Sequence, residues 1–180
     1  MALPQPRSVT LGDDATVLVR PARARDARGW IELLTEVSKE DRFILLESIT
    51  TTRREMARVF RYTAWSVDSA ALVAVTGEDE LVVGQLTATR NRNIYFHTAE
   101  LGMSVAPEFR GKKVGFELME GAKDWARAFR VEKLCLNVVP NNLRAIRFYE
   151  KVGFELEGHR SRHAKLSYGY EDLLEMSLWV

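Results

Sequence analysis

Between residues 100 and 129 the hydrophobic period of this chain changes once, and that change constrains the fold more than any other feature. Glu100-Leu101-Gly102-Met103-Ser104-Val105 alternates polar or small residues with apolar ones, the period of a strand. Pro107 ends the alternation. From Gly111 onward Val114, Leu118, Ala122, Trp125 and Phe129 recur at steps of three and four residues, the stripe of an amphipathic helix.

The rest of the chain repeats this alternation of element types. Residues 17–20 read as a strand closed by Pro21, followed by a helix with Asp26 as cap and Trp30, Leu33, Leu34 and Val37 on one face. Thr52-Arg53-Arg54-Glu55 is a capping-box pattern that opens a second helix, with Met56, Val59 and Phe60 expected inward. Residues 39–49 between them read as a loop or broken helix. Strands at 70–76 and 81–89 meet through Gly77-Glu78-Asp79-Glu80, a hairpin turn, and Asn91-Arg92-Asn93 is a second turn leading into 95–105. A strand at 134–139 stops at Pro140, and Asn141 or Asn142 caps a short helix carrying Ala145, Ile146, Tyr149 and Val152, with Gly153 as its stop. Two strands, at 154–160 and 172–180, close the chain. With no internal repeat and no low-complexity linker, residues 1–180 predict a single domain of the α+β (mixed α/β) class, one mixed sheet with helices on both faces.

Composition removes several function classes. Hydrophobic residues at 46 % and charged residues at 28 % are those of a globular protein, and 26 Lys and Arg against 25 Asp and Glu give no field aimed at nucleic acid or a membrane. The opening residues lack the apolar stretch of a secretory signal, and no later run is long enough to span a membrane, so the expected location is the cytoplasm. One cysteine, Cys135, cannot form an internal disulfide and lies in an apolar run, which fits a reducing compartment. His97, His159 and His163 are scattered without ligand spacing, so no metal site is expected.

The chemistry concentrates at Val105-Ala106-Pro107-Glu108-Phe109-Arg110-Gly111-Lys112-Lys113-Val114-Gly115. The first N–H groups of a helix have no intrahelical acceptor and sit at the positive end of its dipole. A basic, glycine-containing turn there can hold a phosphate or diphosphate on backbone donors. The same spacing also suits an ordinary strand–helix connection with solvated lysines.

This stretch resembles the acyl-CoA signature of the GNAT superfamily of N-acetyltransferases, Arg/Gln-x-x-Gly-x-Gly/Ala after a strand. Arg110 and Gly115 match, while Lys113 stands where the middle glycine is usual. Lysine is costly there if the backbone needs positive φ and fits if φ is helical; the second is the expectation. A later stretch, Asn142-Leu143-Arg144-Ala145-Ile146-Arg147-Phe148-Tyr149-Glu150-Lys151-Val152-Gly153-Phe154, is similar to the GNAT motif in which an asparagine opens a helix, a tyrosine lies two turns on, and Gly-Phe follows. Residues 154–172 also resemble bacterial spermidine and ribosomal-protein N-acetyltransferases.

The resemblance implies a mostly antiparallel sheet of six to seven strands and transfer of an acetyl group from acetyl-CoA, as cosubstrate and without a metal, to a primary amine. The acceptor would be a polyamine, a protein N-terminus or another small amine, and a homodimer is one assembly known in the family. Backbone N–H groups of Arg110, Gly111, Lys112, Lys113, Val114 and Gly115 would take the diphosphate, and the strand around Met103 and Val105 would pair with the pantetheine arm. Asn142 would hydrogen-bond the pantetheine, cap the helix, or do both. Tyr149 would protonate the departing thiolate; a core aromatic is its alternative role. Glu100, on a face shared with Gly102 and Ser104, is the preferred base, directly or through water, against the alternative of a structural carboxylate paired with an arginine. Asn137 stands on the neighbouring strand where other relatives carry a glutamate base. His97 reads as a surface histidine and Cys135 as core, so direct attack in a ternary complex is expected. A non-catalytic acyl-CoA-binding module is the competing class, supported by Lys113 and Asn137.

Overall fold

The computed structural model describes residues 5–11, 16–39, 50–77, 80–166 and 169–180. Its strands are β1 (Arg7–Thr10), β2 (Thr16–Pro21), β3 (Ser69–Thr76), β4 (Leu81–Arg90), β5 (Thr98–Val105), β6 (Lys133–Val138), β7 (Glu155–Leu166) and β8 (Gly169–Trp179). Its helices are α1 (Ala27–Ser38), α2 (Arg53–Thr63), α3 (Val114–Ala128) and α4 (Leu143–Lys151). The strands form one sheet in the order β1-β2-β3-β4-β5-β6-β8-β7, antiparallel throughout except for β5 beside β6. The mixed, mostly antiparallel sheet with helices on both faces is as expected, with β1 raising the strand number to eight among the described residues. Among the described residues no helix is long and apolar enough to cross a membrane.

Alternation along each strand builds two cores. Val17, Val19, Leu72, Leu86, Ala99, Leu134, Leu136 and Met176 face α3 and α4, where Leu118, Ala122, Trp125 and Tyr149 meet them. Ala71, Val73, Val75 and Val82 face the other way, against Trp30, Leu33 and Val37 of α1 and Phe60 of α2. A Cβ on Gly121 would lie 2.8 Å from Leu72 Cδ1, so glycine lets α3 approach the sheet closely. That approach places the start of α3 beside the end of β5.

Local signals work as read at several points and differ at two. Thr52 and Glu55 cap α2 reciprocally: the Thr52 N–H donates to Glu55 Oε2 at 2.8 Å, and the Glu55 N–H donates to Thr52 Oγ1 at 3.3 Å. Val59, expected inward, is 44 % exposed. Asp26 does not cap α1; its carboxylate accepts from Arg20 Nη1 at 2.7 Å and from the Arg23 N–H at 2.6 Å. The buried guanidinium of Arg20 needs a counter-charge, and that demand takes precedence over the helix end. Of the loop or broken helix expected at 39–49, residues 40–49 lie outside the described residues.

Candidate functional site

The sheet splits at one place. β5 and β6 pair only from Thr98–Lys133 to Glu100–Cys135. Beyond that, β5 stays with β4 as far as Val105 opposite Gly84, and β6 stays with β8 as far as Val138 opposite Leu174. Alternate peptide groups of residues 101–105 and 136–138 therefore point across a gap without a strand partner, a geometry ready to pair with an extended ligand. A cleft of about 770 Å³ fills the gap, bordered by Leu101, Gly102, Met103, Ser104, Val105, Asn137, Val138 and Val139, with α3 and α4 at one side and Leu34 and Val37 of α1 at the other.

The turn at its mouth is built by backbone conformation. After Val105 a single 3₁₀ turn, Pro107–Phe109, leads to Arg110, whose Nε donates to the Val105 carbonyl at 2.8 Å and clamps the turn onto the strand end. Gly111 has φ 74° and Lys113 has φ 64°, both left-handed, so the chain doubles back before α3 begins. This corrects the helical φ expected for Lys113: the reversal needs a left-handed residue there, at a cost of about 1 kcal/mol for a side chain with a Cβ. A second correction concerns Arg110. Its N–H already donates to the Pro107 carbonyl at 3.2 Å, so it is not one of the open donors. The N–H groups of Gly111, Lys112, Lys113, Val114, Gly115 and Phe116 have no acceptor among the described residues. Gly111, Lys113, Gly115 and Phe116 border the cleft. A Cβ on Gly115 would lie 3.4 Å from Phe148 and 3.7 Å from Met103 Cε, so glycine keeps the throat between α3 and α4 open.

α4 brings two residues to the same cleft. Asn142 Oδ1 accepts from the Ala145 N–H at 3.1 Å, a helix cap, and the residue borders the cleft. Tyr149, two turns on, is buried between Phe148 and Phe154, with ring centroids 5.5 and 5.7 Å away, and also borders the cleft. Burial raises its phenol to about 12, so it carries its proton at any physiological pH.

Glu100 sits at the apex of the split, on the last paired position of β5. It is not among the residues bordering the cleft, although Gly102 and Ser104, two and four positions along the same face, are. Loss of surrounding water raises its carboxyl, Glu175 raises it further, and Arg160 pulls partly back. Arg160 itself is paired with Glu175, Nη2 to Oε1 at 2.8 Å and Nε to Oε2 at 3.1 Å. Cys135 is buried, and its thiol is pushed up to about 11 by burial first and Glu100 second, which keeps it protonated. His97 lies away from the cleft, stacked 6.5 Å from Trp179.

Two cleft residues escaped the sequence reading. Gln85 of β4, opposite Ser104, is 5 % exposed and borders the cleft. Nothing in a run of valine, glycine and leucine marks that position, but an amide in the middle of a buried strand is itself a signal. Glu117, in the first turn of α3, also borders the cleft.

The profile of the Acetyltransferase (GNAT) family matches residues 34–154, from α1 through the split, the turn and α4. This chain belongs to that family. The GNAT chain is 34 % identical over 101 residues to the L-amino acid N-acetyltransferase AaaT of Escherichia coli (strain K12), covering 53 % of this chain and 60 % of that protein. It is 32 % identical over 84 residues to the spermidine N(1)-acetyltransferase of Vibrio cholerae serotype O1, covering 46 % of this chain and 49 % of that protein. The matches thus span between about half and three-fifths of these curated relatives. A GNAT-family acetyltransferase from Streptococcus pneumoniae has a solved structure that superposes with TM-score 0.82 at 27 % identity, over 91 % of this chain and 99 % of that one.

Proposed function

We propose that this GNAT chain transfers the acetyl group of acetyl-CoA to a primary amine by direct attack in a ternary complex. The observation that carries the reading is the row of unpartnered amides at the head of α3, opening onto a split sheet whose edges are free to pair. The amides of Gly111 to Gly115, with Lys112 and Lys113, hold the diphosphate; the edge at Met103 and Val105 takes the pantetheine arm; the Asn142 carboxamide adds a polar contact. Holding both substrates in one cleft recovers much of the entropic barrier of a two-substrate reaction.

The bond changes are an N–C bond formed at the thioester carbonyl and a C–S bond broken. The amine must reach the carbonyl with a free lone pair. Glu100 takes its surplus proton through water, across the two-residue step of β5, about 7 Å, that separates it from Gly102, the first cleft-bordering residue on its own face. Tyr149 gives its proton to the departing sulfur, and the second proton that the nitrogen sheds on becoming an amide restores the phenol. A phenol near 12 is a weaker acid than a thiol of about 8.5 in water, but the same apolar walls raise the thiol too and narrow the difference. The relatives' acceptors, an amino acid and spermidine, mark out small amines as the acceptor class to be tried first.

The deciding experiment incubates acetyl-CoA with polyamines, amino acids and peptide N-termini and follows free CoA together with the mass of the acceptor. Release of CoA with a matching 42-dalton acceptor gain (an acetyl for a hydrogen, approximately) is expected. Tight acetyl-CoA binding with no release under any acceptor supports the binding-module reading, for which Asn137 in place of a glutamate is the relevant residue. An empty turn in an acetyl-CoA soak removes both.

A further inference from the structure

Among the described residues bordering the cleft there are four cations, Arg110, Lys113, Arg144 and Lys151, and one carboxylate, Glu117. Glu117 lies four residues after Lys113, in the first turn of α3. An acid at that place favours the free helix, because it meets the positive end of the dipole. It also opposes any anion that the same helix end is built to hold. One residue, remote in sequence, reaches it. Arg7 opens the edge strand β1 and places its guanidinium across α3, Nη1 at 3.4 Å from Glu117 Oε2 and Nη2 at 2.6 Å from Asp124 Oδ2. The two carboxylates are seven residues apart, two turns along one face of the helix. Arg127 adds a second cation 3.7 Å from Asp124, so the string Glu117, Arg7, Asp124, Arg127 is neutral overall.

We propose that Arg7 is a positioning residue for the phosphate end of the donor: it neutralises Glu117 and so keeps the only carboxylate among the described cleft residues from repelling the phosphates. This rests on acetyl-CoA being the ligand of the turn. It also gives β1 a role beyond closing the sheet, since pairing of Arg7 with Val19 on β2 fixes where the guanidinium stands. Arginine suits the task because it stays charged and spans two carboxylates at once.

Calorimetry with acetyl-CoA tests it on the intact chain. Arg7→Ala weakens binding about fivefold at low salt, and the deficit shrinks as salt rises, as a screened charge effect requires. Arg7→Lys, which keeps a cation beside Glu117 but cannot span both carboxylates, loses less affinity than Arg7→Ala. Glu117→Gln alone binds acetyl-CoA more tightly at low salt, and Arg7→Ala/Glu117→Gln returns close to wild type. A double variant as weak as Arg7→Ala marks β1 as a purely structural strap and overturns the proposal; so does Glu117→Gln that leaves affinity unchanged. Wild-type protein that fails to bind acetyl-CoA overturns the donor reading and this pairing together, whereas normal wild-type binding unmoved by Arg7→Ala overturns this pairing alone.

Discussion

Tyr149 and Lys113 each hold a conformation or ionisation state that costs something, and each cost has a measurable counterpart. Tyr149 sits among Phe148 and Phe154 with its phenol raised to about 12, so Tyr149→Phe keeps the ring packing and removes only the proton. Turnover should fall roughly 100-fold while acetyl-CoA affinity stays within a factor of two, read by steady-state kinetics beside calorimetry. Unaltered turnover would return Tyr149 to a core aromatic. Lys113 holds φ 64°, a strain that glycine relieves, although glycine also loses more freedom on folding. Lys113→Gly should therefore raise stability by about 0.5 kcal/mol in thermal melts while weakening acetyl-CoA binding in a salt-dependent way. A destabilised variant would mean that the turn is not strained at this position. The sequence names Lys113 as the departure from the family pattern, but side-chain identity carries no sign of φ. The reversal comes from where β5 ends and α3 begins.

Among the elements, α4 was legible almost entirely, and β1 not at all. Asn142, the helical spacing of Ala145, Ile146 and Tyr149, and Gly153 at φ 101° are local signals, and local signals survive folding. β1 is four residues, Arg-Ser-Val-Thr, with one buried side chain, Val9; it is a strand only because β2 offers an open edge. The split between β5 and β6 is equally non-local. Alternation put Glu100 on the face of Gly102 and Ser104 correctly, yet the distance from Glu100 to the cleft depends on where two strands part. α4 also allows a test that separates the two roles of Asn142. Asn142→Ala removes the cap and should cost about 1 kcal/mol of stability. Asn142→Ser keeps a capping oxygen and should hold stability to a few tenths of a kcal/mol, while losing the carboxamide assigned to the pantetheine. If both variants bind acetyl-CoA as wild type does, Asn142 is a cap alone; if both weaken it while only the alanine variant melts early, it is a cap and a ligand.

Stability of the whole molecule sums the ionisation of all its groups, and Glu100 contributes with the unusual sign for a carboxylate. Its folded-state pKa is raised, by lost hydration and then by Glu175, so the native form holds this proton more tightly than the unfolded chain does. As pH climbs from the unfolded value, about 4.3, through the higher folded value, the unfolded state releases its proton first, and the native state loses relative stability. At neutral pH the ionised Glu100 is thus a burden on the fold. Glu55, Glu157 and Asp172 behave oppositely, each lowered by hydrogen bonds, to Thr52, Lys133 and the Arg162 N–H first in each case, and each gives up stability only as pH falls. Glu100→Gln should therefore melt at a higher temperature than wild type at pH 7.5, with the advantage vanishing near pH 4, because there both chains carry a neutral group at position 100. The same substitution should depress turnover most below the pH at which the acceptor amine is neutral without help. A gain in stability coupled to a loss of turnover identifies a charge kept for chemistry against the interest of the fold. Loss of stability at pH 7.5 would instead make Glu100 a structural partner of Arg160, and the proton would have to leave the amine by another route.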